Sequence, residues 1–309
     1  VTFPLTVRRD MVLTAGWSEG TTYTKEFING KTIITMGVYP QTVETDTDII
    51  QELDALTVNN NLVTLNGQSY YKLTVSPILS NAKFVSTGES IIAGSTYYFR
   101  VEPVKWQVNI ASGRAALLSE KVLDITSYGN TAWEFSSLRS MSQNFLSSFS
   151  EVSLSVVKDT PYGSSADKVY AITGDENFIT QSHKTAVATD FAAAKGLKTN
   201  QNGNADWLLR ATGQNIYCFS QTGMKMERTS AQESGFRPGV TVEYFYTVTF
   251  ENLTVDAFFG DTITVPVPVT EENETFLGYY ASENYSGEPL GESMLVTADK
   301  TYYAKITTD

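Results

Sequence analysis

Cysteine and histidine most directly carry nucleophilic or metal chemistry, and the sequence holds one of each, Cys218 and His183. One cysteine excludes an intrachain disulfide and a thiolate-rich zinc site, and one histidine leaves no two-histidine metal site. Most hydrolytic triads would then depend on His183 alone. Cys218 sits in the alternating segment 216–220, the setting of a buried structural thiol rather than a reactive one. His183 reads as part of a polar turn ahead of an Ala-rich segment, with no carboxylate or cysteine spaced to orient it for proton transfer. Residues 44–48 (ETDTD) offer oxygens to calcium but lack the glycine and distal glutamate of a loop-type site, so they read as a solvated acidic run. No Gly-rich phosphate cradle follows a strand and opens a helix. These residues predict no catalytic group, no metal and no cofactor.

Composition bounds what could position any site. The 309 residues are 41% hydrophobic and 18% charged, enough for a real core and for more than one domain. Lys and Arg total 22 against 34 Asp and Glu, a net charge of −12, the wrong sign for gripping a phosphate backbone, so nucleic acid is not an expected partner. The longest apolar runs fall well short of the ~18–20 residues a membrane span requires, so no membrane insertion is expected. Richness in Thr, Ser, Tyr, Asn and Gly with little Lys and Cys is the balance of exported bacterial surface proteins and predicts an extracellular, cell-surface location. The chain opens at Val1 inside what reads as a strand, without a signal peptide or initiator Met, and is read as a piece of something longer.

The elements are mostly strands. Toward the end, residues 244–252, 261–269, 275–280 and 300–306 are β-branched and aromatic, with turn chemistry at 284–287 and 289–291. Pro266 and Pro268 confine 261–269 to an edge or to a polyproline-like path. The spacing Val296, Asp299, then a strand containing Ala304 recurs near the start as Val7, Asp10, then 12–17 containing Ala15, which predicts stacked repeats with residues 1–20 the tail of a truncated copy. Between them, 31–39, 62–65, 70–75, 96–101, 106–110 and 116–118 are short strand candidates. Two helices are expected. Residues 133–149 place Phe135, Leu138, Met141, Phe145 and Phe149 at helical spacing, and the Ala-rich 184–195 is stopped by Gly196. A polar loop, 198–204, follows, and a boundary near 243 closes the central body.

Two resemblances rest on motifs. Thr249 and Phe250, Gly260 and Thr262, Pro266 and Pro268, then Phe276, Gly278 and Tyr280, then Thr297, Asp299, Thr301, Tyr303, Ala304 and Lys305 stand in the order of the Listeria–Bacteroides repeat, the B-repeat of internalins. Residues 244–309 resemble that repeat, with Tyr279 and Ile306 in place of its two tryptophans and Asn273 and Glu274 at its usual Gly-aromatic entry. The resemblance implies a small β-grasp-like module of cell-surface proteins and no chemistry. Segments 37–42 (GVYPQT), 98–108 (YFRVEPVKWQV), 133–139 (WEFSSLR), 207–210 (WLLR) and 235–238 (GFRP) resemble the ordered motifs of an uncharacterised bacterial domain spanning 28–243. Met141 and Ser142 replace its Trp–Leu, and Ala211 its serine. The same motif order is similar to the C-type-lectin-like folds of formylglycine-generating-enzyme relatives and of retroelement-diversified variable proteins. The copper-dependent enzymes of that lineage need two cysteines, and this chain has one.

The expected fold class is therefore α+β, mostly β, with a C-type-lectin-like central domain and a β-grasp-like repeat at the C-terminus. Arg139, Arg210 and Arg237 each follow an apolar residue within a motif, so with Trp133 and Trp207 they read as fold-defining, the guanidinium groups satisfying carbonyls or Glu102 and Glu134. Asn200, Asn202, Asn204, Asn215 and Tyr217 read as surface-loop residues, and the lectin-like resemblance turns that half toward a ligand. The expected function is a binding or adhesion module without catalysis. Its expected partner is a host or bacterial surface protein or glycan. A structural stalk, or an enzyme of the formylglycine lineage, are the alternatives.

Overall fold

The computed structural model describes residues 24–28, 31–77, 82–111, 114–162, 165–243, 246–251, 253–257, 261–296 and 299–308. The expected repeat tail at 1–20, together with Gly260 and Thr297 of the C-terminal motif, lies outside them. Strands dominate, in several sheets, with short helices between them.

The largest sheet is organised by one long strand, Thr96–Ala111, where the sequence suggested two short ones. Lys31–Val43 pairs along one side of it, and Gln68–Thr74 and Arg114–Ser119 share the other side in succession. Pro103 interrupts the alternation at the sequence level. In the sheet it faces Val38, where the partner strand shifts register, so its missing N–H breaks no continuous ladder. The same irregularity contains Gly37 at φ +73°, where an added Cβ would meet the Phe149 ring and the Ser148 carbonyl at 3.1 Å. The kink leaves the Met36 carbonyl to accept the ring N–H of buried Trp106 at 2.8 Å. Beyond Arg114–Ser119 the sheet continues with Gly239–Glu243 and then Val169–Tyr170, so the end of the body closes on its middle.

A second sheet runs in the order Lys225–Arg228, Ile216–Phe219, Trp207–Leu208, Glu233–Phe236, Asp124–Ser127, with only the Trp207 and Glu233 strands parallel. One apolar cluster draws on both sheets and the helices between them, including Trp106, Leu117, Leu138, Phe145, Trp207 and Phe236. Burying each such side chain contributes about 1.5–3 kcal/mol.

Both expected helices are broken. Residues 133–149 form a 3-10 turn, Trp133–Phe135, an α-helix, Ser137–Asn144, and a second 3-10 turn, Phe145–Ser148. Ser136 is extended at φ −77°, ψ 148°, and its hydroxyl accepts the Arg139 N–H, capping the α-helix. Leu138, Phe145 and Phe149 are buried as their spacing requires, but the break rotates Phe135 outward, 77% exposed. Of the Ala-rich segment 184–195 only Asp190–Ala194 is helical, and a separate short helix, Gln181–Lys184, ends at its first residue. Between them Val122 donates to the Val187 carbonyl and Thr189 to the Val122 carbonyl, so sheet-like bonds replace helical ones. Gly196, at φ +109°, ends the second piece as expected.

The C-terminal unit is a mixed four-stranded sheet. Tyr246–Phe250 pairs antiparallel with Leu253–Ala257 and parallel with Lys300–Thr308, which pairs antiparallel with Glu274–Tyr280. Tyr279, standing at a tryptophan position of the repeat pattern, is 3% exposed and packs edge-on against Phe250 and Phe276. The expected strand 261–269 is shorter. Only Thr262–Thr264 pairs, and Val267 and Val269, between and after the prolines, are exposed. Among the described residues no helix is long and apolar enough to cross a membrane.

The acidic run is not simply solvated. Glu44 is buried, its carboxylate accepting from Arg100 and from the N–H groups of Thr45 and Asp46, while Asp46 caps the helix Thr47–Asp54. Burial alone would raise the Glu44 carboxyl. The Asp46 N–H, the Arg100 guanidinium and the Thr45 N–H outweigh it and hold the group below its ordinary 4.5. A carboxyl depressed by folding adds stability above its unfolded value and loses it as pH falls through the folded one. Glu44→Gln should therefore cost about 1–3 kcal/mol at pH 7, and urea midpoints should show the gap to wild type closing below about pH 4. An unchanged gap at pH 3 would refute this account.

Candidate functional site

The residues singled out for chemistry are occupied structurally. Cys218 is fully buried on Ile216–Phe219, Arg228 Nε donates to its Sγ at 3.1 Å, and burial pushes the thiol up, away from the thiolate. His183 is buried on the short helix Gln181–Lys184, where a polar turn was expected, with Nδ1 2.8 Å from Thr180 Oγ1 and Nε2 2.7 Å from Asn109 Oδ1. Among the described residues no group of three or more His, Cys, Asp or Glu is arranged to hold a metal ion.

The loop asparagines are not brought together. Asn200 Oδ1 accepts the N–H groups of Asn202 and Asn204, closing the 198–204 loop on itself, and its Nδ2 contacts the Gln221 carbonyl past the end of Ile216–Phe219. Asn215 precedes the start of that strand and donates to the Tyr217 hydroxyl at 3.3 Å. About 15 Å of strand separates the two groups.

The three motif arginines have three different environments. Arg237 is fully buried against Trp207 and donates to the carbonyls of Ser119 and His183, the expected carbonyl role. Arg139 finds a partner the sequence did not suggest. It binds Asp167 through Nε and Nη2, and reaches only the backbone carbonyl of Glu134. Glu102 pairs with neither, its carboxylate accepting the Thr42 N–H. Arg210, 5% exposed, makes no side-chain hydrogen bond or ion pair among the described residues, and its Nη1 is buried without a partner. Its guanidinium lies over the Tyr162 ring, with Trp133 and Tyr170 centroids at 5.8 and 6.0 Å.

That guanidinium opens on a cavity of about 310 Å³, lined also by Thr131, Trp133, Glu134, Tyr162 and Thr212. Each wall is fixed by the fold. The 3-10 turn carrying Trp133 and Glu134 is held by Trp133 Nε1 donating to Asp167 at 2.8 Å. The Arg210 N–H donates to the Ile172 carbonyl at 2.8 Å and the Ala211 N–H to the Tyr128 hydroxyl at 2.9 Å, which anchors the loop after Trp207–Leu208. Burial without a countercharge pulls Arg210 down to about 9, an effect that Tyr128 only partly offsets, and the group stays cationic at neutral pH. The fold has thus already desolvated a cation and left its donors unmet, the arrangement that favours an incoming anion. A second cavity, beside Tyr39 and Asp124, is different in kind, because its charged group, the Asp124 carboxylate, is already bonded by Tyr39 and Lys195 at 2.6 Å.

Arg210 was visible in the sequence, but only as one of three similar arginines. Tyr162, Thr131 and Thr212 carried no local signal, since their relation to Arg210 depends on strands far apart in the chain. Comparison with family models and with characterised proteins returned no match to this chain.

Asp167, 2% exposed, takes bonds from Trp133, Arg139 and Gln143. Asp167→Ala should destabilise by about 3 kcal/mol, because it strands three donors at once. Asp167→Asn, which retains acceptor capacity, should cost less. Equal denaturant midpoints for the wild type and Asp167→Ala would show that the network is dispensable.

Proposed function

We propose that the chain is a binding module, without catalysis, of a bacterial cell-surface protein, and that the Arg210 cavity is where it engages a host or bacterial surface ligand. The observation carrying this reading is the buried, unpaired guanidinium lining an open cavity. A fold that leaves a desolvated cation without a protein partner there retains interaction energy for a ligand. The surface location rests on composition and on the repeat resemblance. The strand order of the C-terminal unit, second, first, last, third, with the first and last parallel, supports a β-grasp-like repeat there. The C-type-lectin-like reading of residues 28–243 rests on the order of their aromatic and arginine motifs. Thr212 and Gly213, of the loop leading to Asn215, line the cavity, which supports a ligand-facing role for that loop.

The test is an array of bacterial and host surface glycans and surface proteins probed with the purified chain. Gly213 supplies a control, since an added Cβ there meets open space and its backbone is not left-handed. Gly213→Trp should keep the wild-type melting temperature and lose most of the signal. Silence of the wild-type chain across the array would overturn the binding reading. Equal signal from wild type and Gly213→Trp would move the site elsewhere.

A further inference from the structure

We infer that the Arg210 cavity takes a single sugar unit bearing a ring carboxylate, an acidic sugar of the uronic or sialic type, with Arg210 receiving the carboxylate. The inference deepens the binding-module reading and rests on it.

Four features select this ligand. First, the cation is a guanidinium, whose planar donor fork matches the two oxygens of a carboxylate. Second, its positive charge stands alone. Among the described residues no lysine or second arginine lines the cavity, Glu134 does, and the whole chain carries a net charge of −12. A single cation can match one negative charge, and the Glu134 carboxylate repels a second, which disfavours the dianion of a phosphate monoester. Third, Thr131 and Thr212 are exposed and Glu134 half-buried, a rim of hydroxyls and one carboxylate. Such a rim exchanges hydrogen bonds with a polyhydroxylated ring, whereas a simple aliphatic acid would leave it unused. Fourth, about 310 Å³ is at the small end of ligand cavities, room for one ring, and the open side leaves space for the rest of a glycan outside. Each bond made to Arg210 replaces no protein partner, so the charge on the ligand is the dominant selector.

The experiment is a calorimetric titration of the whole chain with glucuronate and N-acetylneuraminate, their methyl esters, glucose, glucose 6-phosphate and alanine. The esters keep the ring and remove the charge. The acids should bind tighter than their esters and than glucose by on the order of tenfold to a hundredfold, with glucose 6-phosphate and alanine no better than glucose. Arg210→Lys should bring the acids toward the affinity of the esters. Because a change at a buried position can unfold the chain, Gly213→Trp provides the second variant, and it should abolish acid binding with an unchanged melting temperature. Equal affinity for acid and ester, or preference for the phosphate ester or the amino acid, would overturn the inference. Array binding that persists with neutral glycans and in Arg210→Lys would leave the binding-module reading standing and remove the acidic sugar. No binding to the array or to any of these probes would remove both.

Discussion

The Asp167 carboxylate is the contact on which the rest of the site depends. It is almost fully buried, and it takes hydrogen bonds from the Trp133 indole, the Arg139 guanidinium and the Gln143 amide. Those three donors come from a 3-10 turn and the α-helix after it, while Asp167 lies just ahead of Val169–Tyr170 on the large sheet. The helical segment is therefore fastened to the sheet by charge as well as by the packing of Leu138 and Phe145. Carboxylate oxygens accept, and here they meet four N–H donors from three side chains, Trp133 Nε1, Arg139 Nε and Nη2, and Gln143 Nε2. Trp133 is thereby fixed at the cavity wall.

Three arginines, alike in their local sequence, end in states that differ by what the fold brings to them. Arg139 is neutralised by a carboxylate, Arg237 is dispersed over two carbonyls, and Arg210 meets aromatic faces only. A guanidinium over aromatic rings gains a modest attraction that does not replace lost hydration. Burial of Arg210 is thus a cost borne by the surrounding core.

Many of the strands were legible from alternation and turn residues, as at Leu62–Leu65, Ile216–Phe219 and Glu274–Tyr280, where local pattern and sheet pairing agree. Local preference was overridden where distant groups competed with it. Helical spacing placed Leu138 and Phe145 inward correctly, yet it could not report that Ser136 would leave the helix to cap its successor. The Ala-rich segment has its helical propensity in 191–195, while Val122 offers strand-like bonds to the β-branched stretch before it and Thr189 caps what remains. Glu44 sits in a run of acidic residues and looked solvated. Its burial follows from Arg100, on a strand that only the sheet brings near. The cavity was invisible for the same reason, because whether an arginine is paired or unpaired is a property of chain segments remote from it.

The first and last strands of the C-terminal unit, Tyr246–Phe250 and Lys300–Thr308, lie side by side and run parallel. Tension passing through the chain pulls the start of one strand and the end of the other in opposite directions along their shared ladder. The load then falls as shear across the bonds joining Val248, Thr249 and Phe250 to residues 300–302, which must give way together instead of opening one by one. The buried Phe250 and Tyr302 rings, stacked 5.7 Å apart on the same two strands, would have to slide past each other in that event. A unit wired in this order transmits force before it unravels.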